Sequence, residues 1–296
     1  MAPPDVPDVA VVVVTWNALP WLEHCLDSVR DRDLVVVDHG STDGTLDFIR
    51  THYPAARIVE QENKGMGGGN NAGMRVASAR YFFLLNSDAW IVGDGLERLV
   101  AYADEHPDTA VVGPRLRNPD GSLQRSVRGE PTLWRLATEY LFIRKLAPRS
   151  NLLNPLYAGG VDHEHETEAD WLYGPALLVR REAVDEVGFF DEDFFMFSEE
   201  VDWMTRFRRA GWKVRFYPGA EVVHVGGASH GGRMYVENLR GHIRYAWKHR
   251  GPKAAERVRL LLLFSLRLRV LVLRRESYRR GIEFLSSGSA ETLIRT

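Results

Sequence analysis

The stretch "VAVVVVTW", residues 9–16, carries five valines in its first six positions. β-branched side chains favour extended backbone. An apolar run without polar alternation reads as a strand covered on both faces, the condition of a parallel sheet. "LVVVD" (34–38), "ARIVEQ" (56–61), "YFFLLN" (81–86) and "AVVGP" (110–114) repeat the pattern. Between them "PWLEHCLDSVR" (20–30), "TLDFIRTHY" (45–53), "NNAGMRVASAR" (70–80) and "LERLVAYADEH" (96–106) have helical spacing. Strand and helix alternate, so the chain is α/β with a mostly parallel sheet flanked by helices.

The rhythm changes after residue 114. "LRNPDGSLQRS" predicts a hairpin around Asp120-Gly121. Residues 128–168 read as irregular, a loop able to cover a site. "WLYGPALLVRR" (171–181) restores a strand, and "EEVDWMTRFRRAGW" (199–212) reads as a helix ending at Gly211. "KVRFYP" and "AEVVHV" read as two short strands.

The 296 residues have a formal net charge of −2, but residues 233–280 hold 14 Lys and Arg against 3 Asp and Glu, leaving 24 against 37 elsewhere. An acidic body carries a basic, leucine-rich tail, which suggests an anionic partner surface. Within "AERVRLLLLFSLRLRVLVLRRESYRR" (255–280), Arg259, Arg267 and Arg269 do not share one narrow helical face, so the tail is not a clean amphipathic helix. Association with the membrane surface is expected, with docking or dimerisation as the alternative. Cys25 is the single cysteine and is expected in the core. The N-terminus "MAPPDVPDVA" lacks a signal-peptide pattern, and no run of about 18 uncharged apolar residues occurs.

Ligands of open α/β sheets sit beyond the carboxyl ends of the strands. Polar groups cluster there: Thr15-Trp16-Asn17, then "DHGSTDGT" (38–45), then Asn86-Ser87-Asp88. "NKGMGGGNNAG" (63–73) supplies glycines that let backbone approach an anion, or simply a flexible loop; it matches neither common phosphate-binding spacing. Asp88, on a short loop after a hydrophobic strand, suits a hard divalent cation. His224, after a short apolar strand, is a second candidate ligand as neutral imidazole, or else a satisfied core histidine. "DFFMFSEEVDW" (193–203) crowds Glu199, Glu200 and Asp202 against aromatic residues. Acids there either favour a helix N-terminus or include a general base.

The ordered set "VVVVTWN", "DHGSTDGT", "NKGMGGGNNAG", "LLNSDA", "WLYGPALLVRR", "FDEDFFMFSEEVDWMTRFRRAGW" and "AEVVHVGGAS" resembles the family 2 glycosyltransferases of GT-A fold, as does "GPRLRNPDGSLQRSVR" (113–128) for their bacterial rhamnosyltransferase-like branch. The likeness covers roughly residues 9–232. It implies a Rossmann-like catalytic domain over 1–232 and a helical extension over 233–296. It implies inverting transfer from a nucleotide-diphospho-sugar to a hydroxyl of a saccharide or polyprenyl-diphosphate-linked acceptor, with Mg²⁺ or Mn²⁺. Thr15, Asn17 and Asp38 would frame the nucleoside. Asn63, Gly65, Asn71, Asn86 and Ser87 would lie near the nucleotide. Asp88 and His224 would hold the metal, and Glu200 would be the base. Glu199 and Asp202 would orient it or pair with Arg206.

Three positions depart from the family pattern: His39 replaces Asn, Asn86 replaces the first acid of the Asp-x-Asp motif, and Glu200 replaces Asp. Trp171, Tyr173 and Trp203 are candidate acceptor platforms, with core packing as the alternative. A cytoplasmic protein peripheral to the inner membrane face is expected, with a homodimer as one option and no nucleic-acid partner. The rival functions are a sugar-nucleotide nucleotidyltransferase and a non-catalytic nucleotide-sugar-binding protein. The first would want an Arg/Lys-bearing glycine loop after strand one, where "TWNALPWLEH" stands instead.

Overall fold

The computed structural model describes residues 8–226 and 232–295. The expected βα alternation is present in β1 (Val9–Thr15), α1 (Leu19–Asp27), β2 (Asp33–Asp38), α2 (Thr45–His52), β3 (Arg57–Glu60), α3 (Gly65–Val76) and β4 (Tyr81–Asn86). Short β5 (Ala89–Ile91), α4 (Gly95–Glu105) and β6 (Thr109–Arg117) follow. The hairpin returns through β7 (Leu123–Gln124), then β8 (Val127–Arg128). Residues 128–168, expected to be irregular, contain α5 (Leu133–Tyr140) and end at β9 (Thr167–Glu168). Then come β10 (Trp171–Leu172), β11 (Ala176–Arg180), α6 (Arg181–Val187), α7 (Glu199–Arg209) and β12 (Lys213–His224). The two short strands expected over 213–225 are therefore one strand, irregular between Tyr217 and Glu221.

The main sheet runs β3-β2-β1-β4-β11-β6-β12-β5. Along that order β11 and β5 are antiparallel to their neighbours and the other pairings are parallel. Successive residues of β1 enter opposite cores. Val9, Val11 and Val13 pack with α1, α2 and α4. Ala10, Val12 and Val14 pack with α3, α6 and α7. Both faces are thus covered, which is why the strand needs no polar residue. Cys25 is fully buried, as expected.

The glycines of 65–69 are not a loop; they form the first turns of α3. A Cβ on Gly65, whose φ is +76°, would meet Phe195 O at 1.7 Å. One on Gly69 would meet Val14 at 2.6 Å, and one on Gly73 would meet Val12 at 2.3 Å. Glycine lets α3 lie directly on the sheet and under the 190–198 segment.

The basic tail is helical: α8 (Gly232–Arg250), α9 (Pro252–Leu273), α10 (Glu276–Ser286) and α11 (Ala290–Arg295). These helices share a third core with Leu136, Tyr140 and Leu156. Arg269 is buried and donates to the carbonyls of Tyr140 at 2.8 Å and Glu139 at 2.7 Å, capping the C-terminus of α5. Tyr245 of α8 packs on Phe194 and Val201 beside α7. Residues 227–231, at the expected junction of domain and tail, lie outside the described residues, as do residues 1–7 and the end of "AEVVHVGGAS". No helix among the described residues is long and apolar enough to cross a membrane.

Candidate active site

Three adjacent parallel strands bring the expected polar groups to one edge. Thr15 pairs in register with Asp38, and Val14 with Asn86. Asp38 is buried. Its Oδ2 accepts from the amides of Gly40 at 3.0 Å and Ser41 at 2.9 Å, and its Oδ1 from Ser41 Oγ at 2.6 Å. Asn17 is exposed at a φ of +51°, and its Oδ1 accepts from the Thr42 amide at 2.8 Å. The β1 and β2 loops therefore hold each other in shape. Thr15 Oγ1 is buried with no protein partner. Asn63 Oδ1 accepts from the Gly65 amide at 3.0 Å and starts α3.

Asn71 does not join this edge. It is fully buried, donating to Phe190 O at 3.0 Å and Glu192 Oε1 at 3.0 Å and accepting from the Phe190 amide at 3.0 Å. All its directed polarity ties α3 to the loop before α7. Trp203 is likewise a core residue, fully buried, with its indole N–H on Gly188 O at 2.8 Å and its ring 3.9 Å from that of Phe190. Trp171 is half-buried and donates to Gly129 O at 2.8 Å. Of the three aromatic candidates, Tyr173 sits at the site, its ring centroid 5.7 Å from that of His224.

Antiparallel pairing of β12 with β5 sets His224 opposite Ala89, next to Asp88. His224 Nε2 lies 3.4 Å from Asp88 Oδ1, and Oδ2 accepts from the Gly226 amide at 3.1 Å. Burial alone would raise the Asp88 pKa; the imidazole and that amide outweigh it and hold the carboxyl below its ordinary value. His224 Nδ1 is 2.7 Å from Gln124 Oε1. An amide oxygen only accepts, so Nδ1 carries the proton and Nε2 faces the carboxylate. Two acceptors facing each other need a proton or a cation between them. Two ligands of one cation held at ~2.1 Å stand ~3 Å apart, so the pair fits a divalent ion completed by phosphate oxygens. Among the described residues no three His, Cys, Asp or Glu side chains gather into a metal cluster. Gln124 escaped the sequence reading. Its signal was a polar residue in the short strand after the Asp120-Gly121 turn, on the side that meets β12.

The three acids at the start of α7 have separate fates. Asp202 is buried, bound to His249 Nε2 at 2.7 Å, Lys248 Nζ at 2.8 Å and Arg206 Nε at 2.9 Å. Glu199 is buried; burial and the neighbouring Glu200 charge push its carboxyl well up. Glu200 is half-buried and faces the site, where a Cβ on Gly174 would lie 3.8 Å from its Oε1. Burial pushes it up to about 7, against the pull of its backbone amide, Glu199 and the Arg128 guanidinium. Phe197 and Ser198, at φ of +66° and +70°, form the strained turn that aims α7. Tyr173 is close enough to both Glu200 and Asp88 that, after burial, their charges also raise its phenol.

The Asp88–His224 pair, a half-buried acid and a tyrosine thus gather at one sheet edge. The family described as Glycosyl transferase family 2 matches residues 10–188, and that described as Glycosyl transferase family group 2 matches residues 169–282. The chain is 33% identical over 300 residues to the N-acetylglucosaminyl-diphospho-decaprenol L-rhamnosyltransferase of Mycobacterium tuberculosis strain H37Rv, covering 92% of this chain and 94% of that one. Its fold is similar to that of S. aureus TarS 1–349 in complex with UDP (TM-score 0.53, 15% identity, 96% of this chain and 77% of that one). It is also similar to GalNAc-T7 with UDP, GalNAc and Mn²⁺ (TM-score 0.60, 13% identity, 98% and 56%). The sheet with its flanking helices is the GT-A fold. The chain belongs to the family 2 glycosyltransferases, nucleotide-sugar-dependent enzymes, and within them to the rhamnosyltransferase-like branch.

Proposed function

We propose that the protein transfers a sugar, rhamnose by analogy with its mycobacterial relative, from a nucleotide-diphospho-sugar to a hydroxyl of a polyprenyl-diphosphate-linked saccharide, with inversion and with a divalent cation. The observation that carries this reading is the half-buried Glu200 carboxyl, raised toward neutrality, beside the Asp88–His224 pair. A general base works best with a pKa near the working pH. Thr15, Asn17, Asp38 and Asn63 frame the nucleoside at the strand ends, with Gly65, Asn86 and Ser87 alongside. Asp88 and His224 would hold the cation, which supplies positive charge for the donor diphosphate.

Glu200 takes the acceptor hydroxyl proton. The freed oxygen pair forms the bond to the anomeric carbon from the face opposite the diphosphate. The carbon–oxygen bond to the diphosphate breaks, and its electron pair leaves with the nucleotide. Tyr173 lines the space between base and diphosphate. The acceptor named for the mycobacterial relative, an N-acetylglucosaminyl-diphospho-decaprenol, supports the lipid-linked acceptor. The catalytic unit in this reading is residues 1–232, with α8 bracing α7 from the extension. The protein works from the cytoplasmic face, where α9 presents a membrane-facing surface.

Transfer to an N-acetylglucosaminyl-diphospho-polyprenol acceptor, followed across a donor panel, tests the reading. The wild-type rate should rise with pH through about 7 as Glu200 loses its proton. Glu200→Gln should lose roughly 10²-fold or more in kcat, together with that rise, while binding donor normally. Asp88→Ala should lose the gain in nucleotide-diphosphate affinity that Mg²⁺ or Mn²⁺ gives wild type. Near-wild-type turnover in Glu200→Gln, or equal affinity in EDTA and in metal, overturns the reading.

A further inference from the structure

Arg128 is a charged group that the mechanism above leaves unused. It ends β8, paired with Trp171 of β10. Its guanidinium lies 4.8 Å from the centre of the Tyr157 ring and 5.9 Å from that of Tyr173. Its hydrogen bond is a long one, 3.3 Å, to the carbonyl of Val127 next to it in the chain. Nearby arginines are spoken for: Arg135 and Arg208 hold Asp170, and Arg144 holds Glu139. Among the described residues no carboxylate forms a salt bridge with Arg128, although Glu200 is close enough to act on its charge. Burial depresses its pKa, and the positive charge of Arg125 adds to the effect. The residue is half-buried, and most of its five donors have no protein partner and stay free to meet a ligand. Its planar fork matches a phosphate group bidentately.

We infer that Arg128 binds the diphosphate of the lipid-linked acceptor, on the side of Glu200 away from the donor. The inference rests on the proposed transfer to such an acceptor. In the proposed reaction the donor diphosphate belongs to Asp88 and His224. Tyr157, which covers Arg128, comes from the segment before β9 rather than from the nucleotide edge. Five and six residues beyond Arg128, the exposed Leu133 and Trp134 open a groove of about 470 Å³, completed by Leu260 and Leu261 of α9. Its walls are almost wholly apolar, so a prenyl chain leaving the diphosphate has apolar surface to follow. Base, anion site and apolar groove then take the hydroxyl, diphosphate and lipid of one molecule.

The test compares full-length wild type, Arg128→Lys and Arg128→Met on two acceptors, N-acetylglucosaminyl-diphospho-polyprenol and a prenyl N-acetylglucosaminide without diphosphate. Thermal melts check folding. The KM for the diphosphate acceptor should rise at least tenfold in both variants, since Lys lacks the fork, while donor KM holds. The wild-type preference for the diphosphate acceptor should shrink by the same factor. Inorganic pyrophosphate, titrated with nucleotide diphosphate saturating, should bind wild type and not Arg128→Met. A rise in donor KM would instead place Arg128 on the donor and overturn the inference. Equal losses of kcat on both acceptors with a displaced pH profile would make it a counter-ion for Glu200, which also overturns it. Wild type inactive on both acceptors would sink the proposed function, and the pyrophosphate titration would still decide whether Arg128 holds a diphosphate.

Discussion

Replacing Asp202 by Asn should destabilise the protein in a pH-dependent way. The Asp202 side chain has no exposed surface. Burial would raise its pKa, but His249, Lys248 and Arg206 outweigh that cost and bring it from 3.8 to about 2. At ~1.36 kcal/mol per pH unit, the depression corresponds to about 2–3 kcal/mol of folding stability at neutral pH. Solvent screening does not erode this in a fully buried group. A depressed carboxyl contributes above its unfolded pKa, and the contribution drains away as pH falls toward the folded value. The gap between wild type and Asp202→Asn in urea unfolding should therefore be full near pH 7. It should narrow steadily below about pH 4. A gap under about 0.5 kcal/mol at pH 7, or one that persists unchanged on acidification, refutes the argument. Two of the three partners come from α8, so the same variant should loosen α7 and cost activity through the placement of Glu200.

Gln124→Leu removes the acceptor that keeps the proton on His224 Nδ1. Losses of this kind weaken metal binding about 10–100-fold, so metal-supported nucleotide affinity should fall by that order while the melting temperature holds; unchanged affinity in isothermal titration would exclude the role. The exposed face of α9 carries Leu260, Phe264, Leu268, Leu271 and Val272, with Arg257, Arg267, Arg274 and Arg275 also exposed. Wild type should co-sediment with anionic vesicles, gaining about 1 kcal/mol per nearby arginine at low salt and about 1.5–3 kcal/mol per inserted side chain at any salt. Phe264→Ser combined with Leu271→Ser should abolish the salt-resistant part. An α9-dependent dimer that ignores vesicles would reassign the face.

Much of this was legible because it depends on local pattern. The valine run of β1 shows two-sided burial directly, and polar residues at strand ends mark the edge. The placement of Asp88 beside His224 needed the whole motif order, since 136 positions separate them in the chain. What stayed hidden depends on which way a side chain faces. Asn71 and Asn63 look alike in a glycine-rich stretch, yet one is spent inside the protein. Trp203 and Tyr173 are both aromatic residues in site motifs, yet helical phase buries Trp203 in the core. The glycine run looked like a loop because helix propensity penalises it, and only contact with Phe195, Val14 and Val12 overcomes that penalty. The tail read as an appendage. Its first helix instead neutralises Asp202, a long-range pairing with no sequence signature.

Helix α3 has a consequence for how the protein breathes. Each glycine inside a helix costs about 0.8–1 kcal/mol relative to alanine. Gly67, Gly68, Gly69 and Gly73 together handicap this one helix by about 3–4 kcal/mol. That is comparable to a large part of a typical domain's whole stability. The helix has little persistence of its own and lasts while the sheet and the 190–198 segment press on it. Its amides should therefore exchange with deuterium well ahead of those in β1 and β4, by local opening rather than global unfolding. Because the helix borders the edge proposed to take the nucleotide, donor binding should slow that exchange, so protection along residues 65–76 would report occupancy of the site with no turnover taking place.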